Sequence, residues 1–401
     1  MKVALVCDWL TNVGGAEKVL LKFHQMYPEA PIYTSKYAPK GIDWFRDAEV
    51  RTGWLNVFPA GMRRVLGVFR ARWFSRLDLS EFDLVISVTG AEAKGVKCVN
   101  ERTGKRARHV CYCHAPTQYY WQMYDEYVEN PGFGVLNGLV RPCFKWLVGK
   151  LRKRDYAAAQ RPDEFVTISE YTRGLIKKYY KREAVVVHPP VEVENFQRGA
   201  GLRQKVRCPA GARVSAPPSA TSPSSPSIHA EKFSYYVVTS RQVNWKRIDL
   251  AVKACVKLKR PLVVIGEGPE HAELVRLAEG AKADDGSPLV RFLPLMRAEE
   301  LRGWLMGARG YLFPSLEPFG IAPVEALAAG CPVVAFGEGG ALDYVEEGVN
   351  GVLFSRQTVK SLCEGIEKFE GMKFDKTKVA KSAERFSAER FEREMREVIS
   401  G

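Results

Sequence analysis

Short apolar runs recur along the chain, and the stretches between them carry apolar residues at helical spacing. Before residue 197 the runs are VALVC (3–7), DLVISVT (83–89), ARHVCYCHA (107–115) and EFVTIS (164–169). After residue 232 they are YYVVTS (235–240), PLVVIG (261–266), LVRFLPL (289–295), GYLFPS (310–315) and PVVAF (332–336). Runs this short, rich in Val, Ile, Phe and Tyr, predict strands buried on both faces. Segments such as GGAEKVLLKFHQMY, directly after the first run, predict helices. Strands alternating with helices predict parallel sheets covered on both sides, an α/β architecture.

The pattern breaks at 197–232, where PAGARVSAPPSATSPSSPS has almost no large apolar residue. Such a segment buries too little surface to offset its ordering entropy and predicts a flexible linker or insertion. It divides the chain into a first domain over 1–196 and a second over 233–384. The terminal helix expected at 385–401 has the length and pattern to pack back toward the first domain. A chain of 401 residues exceeds what one core organises well. Two α/β domains in tandem enclose a cleft, and such sheets bind ligands at the carboxyl ends of their strands.

Composition narrows the setting. No run of 18 or more apolar residues is present, so no membrane-spanning helix is expected. The N-terminal MKVALVCDWLTNVGG reads as a first strand, not a signal peptide. Nine scattered cysteines without a C-x-x-C pair fit a reducing, cytoplasmic location better than a disulfide framework. The net charge of +14 is uneven. Residues 1–196 hold 30 Lys/Arg against 21 Asp/Glu, 197–232 hold 6 against 1, and 233–401 hold 24 against 24. A basic first half predicts an acidic partner there: phosphate, anionic lipid or nucleic acid. No nucleic-acid reading motif accompanies that charge, so nucleic acid is not expected.

Three segments carry candidate chemistry. In TNVGGAEKV (11–19), Gly14 and Gly15 allow a close backbone turn at a helix start, whose free N–H groups suit a phosphate or sugar hydroxyls. It is not the G-x-G-x-x-G dinucleotide fingerprint. In SRQVNWKRID (240–249), Arg241 and Lys246 follow a strand, where a diphosphate would accept a forked guanidinium and an ammonium. In SLEPFGIAPVEALAAG (315–330), Glu317 precedes a helix and Glu325 lies inside it. The N–H groups at Phe319, Gly320 and Ile321 make an anion site, and carboxylates accept hydrogen bonds from hydroxyls. Two acids flanking an anion pocket predict a ligand with a central diphosphate and a sugar at each end.

The segment EPFGIAPVEALAAG resembles the E-x7-E motif of retaining glycosyltransferases of family 4, which have the two-domain GT-B fold. Further matching stretches are DWLTNVGGAEKVL, CYCHAPTQYYW, TISEYTRGLIKKYY, HPPVEVENF, SRQVNWKRIDLAV, VIGEGPE and GGALDYVEEGVNGVLF. CHAPTQYYW and SRQVNWKRIDLA look most like the mannosyltransferase subgroup of bacterial O-antigen and polysaccharide assembly. The resemblance implies two Rossmann-like domains facing across a cleft. It implies that Glu325 holds the nucleotide ribose, Glu317 the transferred sugar, and Phe319, Gly320 and Ile321 the sugar and phosphates. Arg241 and Lys246 would bind the diphosphate, Gly14 and Gly15 would close over it, and His114 would stand near the transferred sugar. The implied reaction is front-side displacement with retention, moving a sugar, mannose favoured, from a nucleoside diphosphate to a glycan acceptor. The expected catalytic group is thus Glu317, His114, Arg241 and Lys246.

No cofactor and no metal are expected: the GDP- or UDP-sugar is substrate, and no D-x-D motif is placed to hold a cation. Cys111, Cys113 and His114 are a weak metal set, because on a strand the cysteines face one side and the histidine the other. RRVLGVFRARWFSRL (63–77) and RPCFKWLVGKLRKR (141–154) carry five and six basic residues with apolar ones between. Each fits either a helix lying on anionic membrane or a core-facing helix with a solvated basic face. The membrane reading would place the protein peripherally at the inner membrane face, with a polyprenyl-diphosphate-linked acceptor. A non-catalytic sugar-nucleotide-binding scaffold and a sugar-nucleotide epimerase of the same fold are the alternatives. A phosphorylase would need a pyridoxal-binding lysine context that the sequence lacks.

Overall fold

A computed structural model of the chain describes residues 1–59, 66–129, 137–197 and 235–401. The Pro/Ser-rich stretch expected at 197–232 lies, beyond its first residue, outside the described residues.

The first sheet has seven strands: β1 (Val3–Cys7), β2 (Ile32–Thr34), β3 (Val50–Thr52), β4 (Leu84–Thr89), β5 (Arg108–Cys113), β6 (Glu164–Thr167) and β7 (Val185–Val186). Its order is β3-β2-β1-β4-β5-β6-β7, and every pairing is parallel. The second sheet has six: β8 (Tyr236–Thr239), β9 (Leu262–Ile265), β10 (Val290–Leu293), β11 (Gly310–Phe313), β12 (Val333–Phe336) and β13 (Gly351–Phe354). They run β10-β9-β8-β11-β12-β13, again all parallel. All residues of β1 and β4 are buried, as helices on both faces of a parallel sheet require. The register is tight at the centre, with Leu5 opposite Ile86 and Leu312 opposite Val334. The two-domain α/β architecture expected from the sequence is the observed one.

The nine apolar runs became strands, mostly trimmed by a residue or two. In ARHVCYCHA the strand stops at Cys113, which leaves His114 at its carboxyl end. β2, β3, β7 and β13 were not anticipated. The first three span only two or three residues each, too short for a period to register.

The last helix, Ala388–Ser400, is capped by Ser387, whose side chain accepts from the Arg390 N–H. It lies on the first domain. Phe391 packs edge-on to Phe23 and Tyr112, with ring centroids 5.4 and 5.7 Å away. Arg108 donates to the Ile399 and Val398 carbonyls at 2.7 and 2.9 Å, and Lys22 pairs with Glu392 at 3.0 Å. Phe391 and Met395 are both fully buried, each contributing about 1.5–3 kcal/mol by burial.

The basic stretches are only partly amphipathic. A helix forms over Gly67–Phe74, while residues 60–65, with Arg63 and Arg64, lie outside the described residues. Arg70 is buried against Glu92 at 3.0 Å and is not part of a solvated basic face. In the helix Asn137–Ala159, Arg152 also turns inward and donates to the Tyr120 carbonyl at 2.5 Å. No described helix is long and apolar enough to cross a membrane.

Candidate functional site

A cleft of about 1880 Å³ opens where the carboxyl ends of the two sheets face each other. Its walls include Gly14, Gly15, His114, Arg241, Lys246, Glu317, Phe319, Gly320, Ile321 and Glu325. The fold thus gathers every site residue expected from the sequence.

On the second domain the wall begins where β11 ends. The chain turns through Ser315 and Glu317 and enters the helix Ile321–Ala328 at Gly320. Gly320 has φ 96°, a conformation that disfavours side chains, and a Cβ there would lie 2.7 Å from the Phe313 ring. The following helix start, Ile321 and Ala322, lines the cleft, and a helix start carries unsatisfied N–H groups and the positive end of its dipole.

Each carboxylate of this segment is held by a lysine. Glu317 Oε1 lies 2.5 Å from Lys246 Nζ and accepts from Ser315 Oγ at 2.8 Å. Lys246 ends the short turn Asn244–Lys246 after β8, and its ammonium also sits over the Trp245 ring at 4.4 Å. Glu325, mostly buried, accepts from Lys18 Nζ at 2.7 Å. Lys18 belongs to the helix Gly15–Met26 of the first domain, so this pair spans the cleft. Arg241 is exposed and makes no ion pair among the described residues.

On the first domain Gly14 caps that same helix in extended backbone. A Cβ at Gly15 would stand 3.2 Å from Ile321 Cδ1 across the cleft, so a missing side chain lets the two walls approach. His114 lines the cleft with its Nε2 buried and without a hydrogen-bond partner. Burial pulls its pKa down to about 4, so the imidazole is neutral at pH 7. The loop after His114 is anchored from below by Asp155. That carboxylate accepts from Thr117 Oγ1 at 2.8 Å, Trp121 Nε1 at 2.7 Å and Tyr180 Oη at 2.8 Å, and pairs with Lys94 at 2.7 Å. These bonds account for Thr117 and Trp121 of CHAPTQYYW, while the Tyr119 hydroxyl turns to Glu92.

Two cleft residues escaped the sequence reading. Lys18 stands four positions after Gly14 in a helix whose cleft-facing side was not evident. Asp8 follows β1 directly, and its carboxylate accepts from Thr89 Oγ1 and from the N–H groups of Gly90, Ala91 and Ala93 at 2.8–3.1 Å. An acid immediately after a central strand was the available signal; its work is to tie the ends of β1 and β4 together. Cys111 and Cys113 pack among Phe165, Ile176 and Tyr180, away from the cleft that His114 lines. Among the described residues no group of three His, Cys, Asp or Glu side chains is arranged to hold a metal.

The arrangement offers cations and helix N–H groups for a diphosphate, and a carboxylate on either side for hydroxyls. Residues 224–389 match the family Glycosyl transferases group 1. The chain is 23% identical to the mouse (Mus musculus) alpha-1,3/1,6-mannosyltransferase ALG2 over 395 residues, which cover 89% of this chain and 85% of that protein. A more local match of 31% identity links it to the D-inositol 3-phosphate glycosyltransferase of Streptomyces bingchenggensis, over 48% of this chain and 41% of that one. Among solved structures, Anabaena Alr3699/HepE in complex with UDP superposes with a TM-score of 0.68 at 18% identity, covering 100% of both chains. The catalytic domain of Arabidopsis thaliana starch synthase IV superposes with a TM-score of 0.61 at 14% identity, also covering 100% of both. The two parallel-sheet domains have the GT-B fold, and the matched second domain and the relatives make this protein a glycosyltransferase.

Proposed function

We propose that the protein transfers a sugar, mannose favoured, from a nucleoside-diphosphate sugar to a lipid-linked glycan acceptor, with retention at the anomeric carbon. The observation that carries the donor reading is the pair of ion pairs, Lys246–Glu317 and Lys18–Glu325, on either side of the 319–321 helix start. A diphosphate between them attracts both ammonium groups and Arg241. The released carboxylates then accept from hydroxyls of the sugar and of the ribose. Such a ligand exchanges each ion pair for a charge-assisted contact without leaving a buried charge unpaired. That UDP and UDP-glucose are bound by Alr3699/HepE supports a nucleotide-sugar donor here.

The chemical task is departure of the nucleoside diphosphate as charge builds on its β-phosphate. Lys246, Arg241 and the helix N–H groups would stabilise that charge. The leaving phosphate takes the proton of the acceptor hydroxyl, so no protein base is required. Neutral His114 would offer a hydrogen bond to the transferred sugar. Mannose is favoured by the likeness to ALG2 along most of the chain.

A lipid-linked acceptor is supported by the rim of the first domain. Trp54, Val57 and Phe69 are 53%, 80% and 47% exposed, and the Trp54 and Phe69 rings touch at 5.9 Å. On the helix that carries Phe69, Arg72 is exposed, as is Arg76 just beyond its end, and that helix supplies Gly67, Val68 and Arg70 to the cleft. An aromatic and basic rim of this kind suits the interface of an anionic bilayer. The test is acceptor-dependent release of GDP or UDP from the nucleotide sugar. Release that needs acceptor supports transfer; isomerised nucleotide sugar without release would establish an epimerase instead.

A further inference from the structure

One peptide of the donor loop is gripped from the opposite domain. Phe319 is buried, and its ring stacks on His188 of the first domain with centroids 5.5 Å apart and planes at 28°. Phe386 stands edge-on to both rings, 5.1 Å from His188 and 5.7 Å from Phe319. One residue earlier, the Pro318 carbonyl accepts from Ser169 Oγ at 2.5 Å. From its own domain, Phe319 is backed by the turn at Gly340, where a Cβ would fall 2.3 Å from Phe319 Cα.

The first-domain side of this grip is itself held. His188 Nδ1 lies 3.0 Å from the Ile168 carbonyl, so that nitrogen carries the proton and donates. Asp343 Oδ2, 3.6 Å from the same nitrogen, accepts from the N–H of Glu170 at 2.9 Å. The preceding Val187 carbonyl accepts from Tyr112 Oη at 2.8 Å, which ties the segment to β5. The ring of His188 is therefore oriented by its bond to Ile168 and stacks on Phe319.

The N–H groups that follow, at 319–321, are those assigned to the donor phosphates. Electrostatic contacts of this kind depend on placement to a fraction of an ångström. We propose that His188 is a positioning residue of the donor site: stacked on Phe319, it makes the geometry of the phosphate-binding backbone depend on the first domain. The cleft walls and the donor loop then form one unit, and donor affinity reports their relative placement. The proposal rests on reading 319–321 as the phosphate site.

The experiment separates the two contacts of His188 in the full chain. His188→Phe keeps the stacked ring and loses the bond to Ile168; His188→Asn keeps a donor and loses the ring. GDP and UDP are titrated calorimetrically into wild type, both variants and Lys246→Ala, with melting temperatures measured on the same samples. The expected result is a dissociation of the two readouts. His188→Phe melts lower but binds within about twofold of wild type, while His188→Asn binds about tenfold more weakly, the worth of a lost aromatic contact. Lys246→Ala also loses affinity. If Lys246→Ala weakens binding and His188→Asn does not, the positioning role is wrong and the phosphate site stands. If His188→Phe loses as much affinity as His188→Asn, the stack is not what positions the loop. If wild type binds neither nucleotide, the phosphate-site reading falls and takes the positioning role with it.

Discussion

Lys18 of the first domain and Glu325 of the second meet across the cleft at 2.7 Å, although 307 positions separate them in the chain. The lysine side chain is 40% exposed and the carboxylate 12%, so the pair is only half sheltered. Half-sheltered pairs add little stability, about 1 kcal/mol at most. On the proposed donor reading the consequence is chemical: the acid assigned to the ribose is held by a part-exposed lysine that a diphosphate would draw away.

Glu325→Gln should accordingly leave the melting temperature nearly unchanged and weaken nucleotide binding by about tenfold, since an amide oxygen is a poorer acceptor for hydroxyls than a carboxylate. Calorimetric titration of GDP and UDP, beside a thermal melt, reads both quantities. A variant that binds as wild type does would remove Glu325 from the ribose site.

Glu317→Ala should lower turnover by at least about a hundredfold, comparable to losing one transition-state contact in acyl-transfer sites. The neighbouring Ser315 then loses its acceptor but stays at the cleft edge, so the fold should persist. Steady-state kinetics and circular dichroism together distinguish lost chemistry from lost structure.

His114 links the site to pH. Burial depresses its folded pKa to about 4 from the ordinary 6.5, so the unfolded chain binds the extra proton first as pH falls. Its effect on stability is nil above about pH 6.5 and becomes increasingly unfavourable down to pH 4, reaching up to about 3 kcal/mol. His114→Asn should therefore gain on wild type in denaturant melts as pH drops from 7 to 4.5. A gap between the two that does not change over this range would show that His114 titrates normally. Turnover itself should show no step attributable to His114 between pH 5.5 and 8.

How much of this was legible beforehand differs by element. The long central strands announced themselves because parallel sheets bury both faces and leave continuous apolar runs, as in LVISVT of β4. β2 and β7, at three and two residues, carry no pattern to read and exist because neighbouring strands offer them a ladder. Within the site, Glu317, Gly320 and Glu325 could be placed because one strand, one turn and one helix position all of them locally. Lys18 and His188 could not. Each acts on a residue of the other domain, and only the docking of two separately folded sheets decides which faces meet. Arg70 of the first basic stretch could not be placed for the same reason, since it finds Glu92 from a distant loop and leaves the surface.

Membrane association has its own test. Trp54→Ser combined with Phe69→Ser should reduce co-sedimentation with vesicles of mixed zwitterionic and anionic lipid at low salt by about tenfold or more, two interfacial aromatics being lost. Activity on a water-soluble glycan acceptor should be retained. No vesicle binding by wild type would end the membrane reading.

The claim on which the rest depends is that the cleft grips a nucleoside-diphosphate sugar through Lys246 and Glu317. It is tested most directly by thermal melts of wild type and Lys246→Ala against GDP-mannose, UDP-glucose and UDP-N-acetylglucosamine. The account predicts that at least one of them stabilises wild type, by about 2.7 kcal/mol at a hundred times its dissociation constant, and that Lys246→Ala loses most of the effect. Equal stabilisation of both proteins, or of neither, would contradict it.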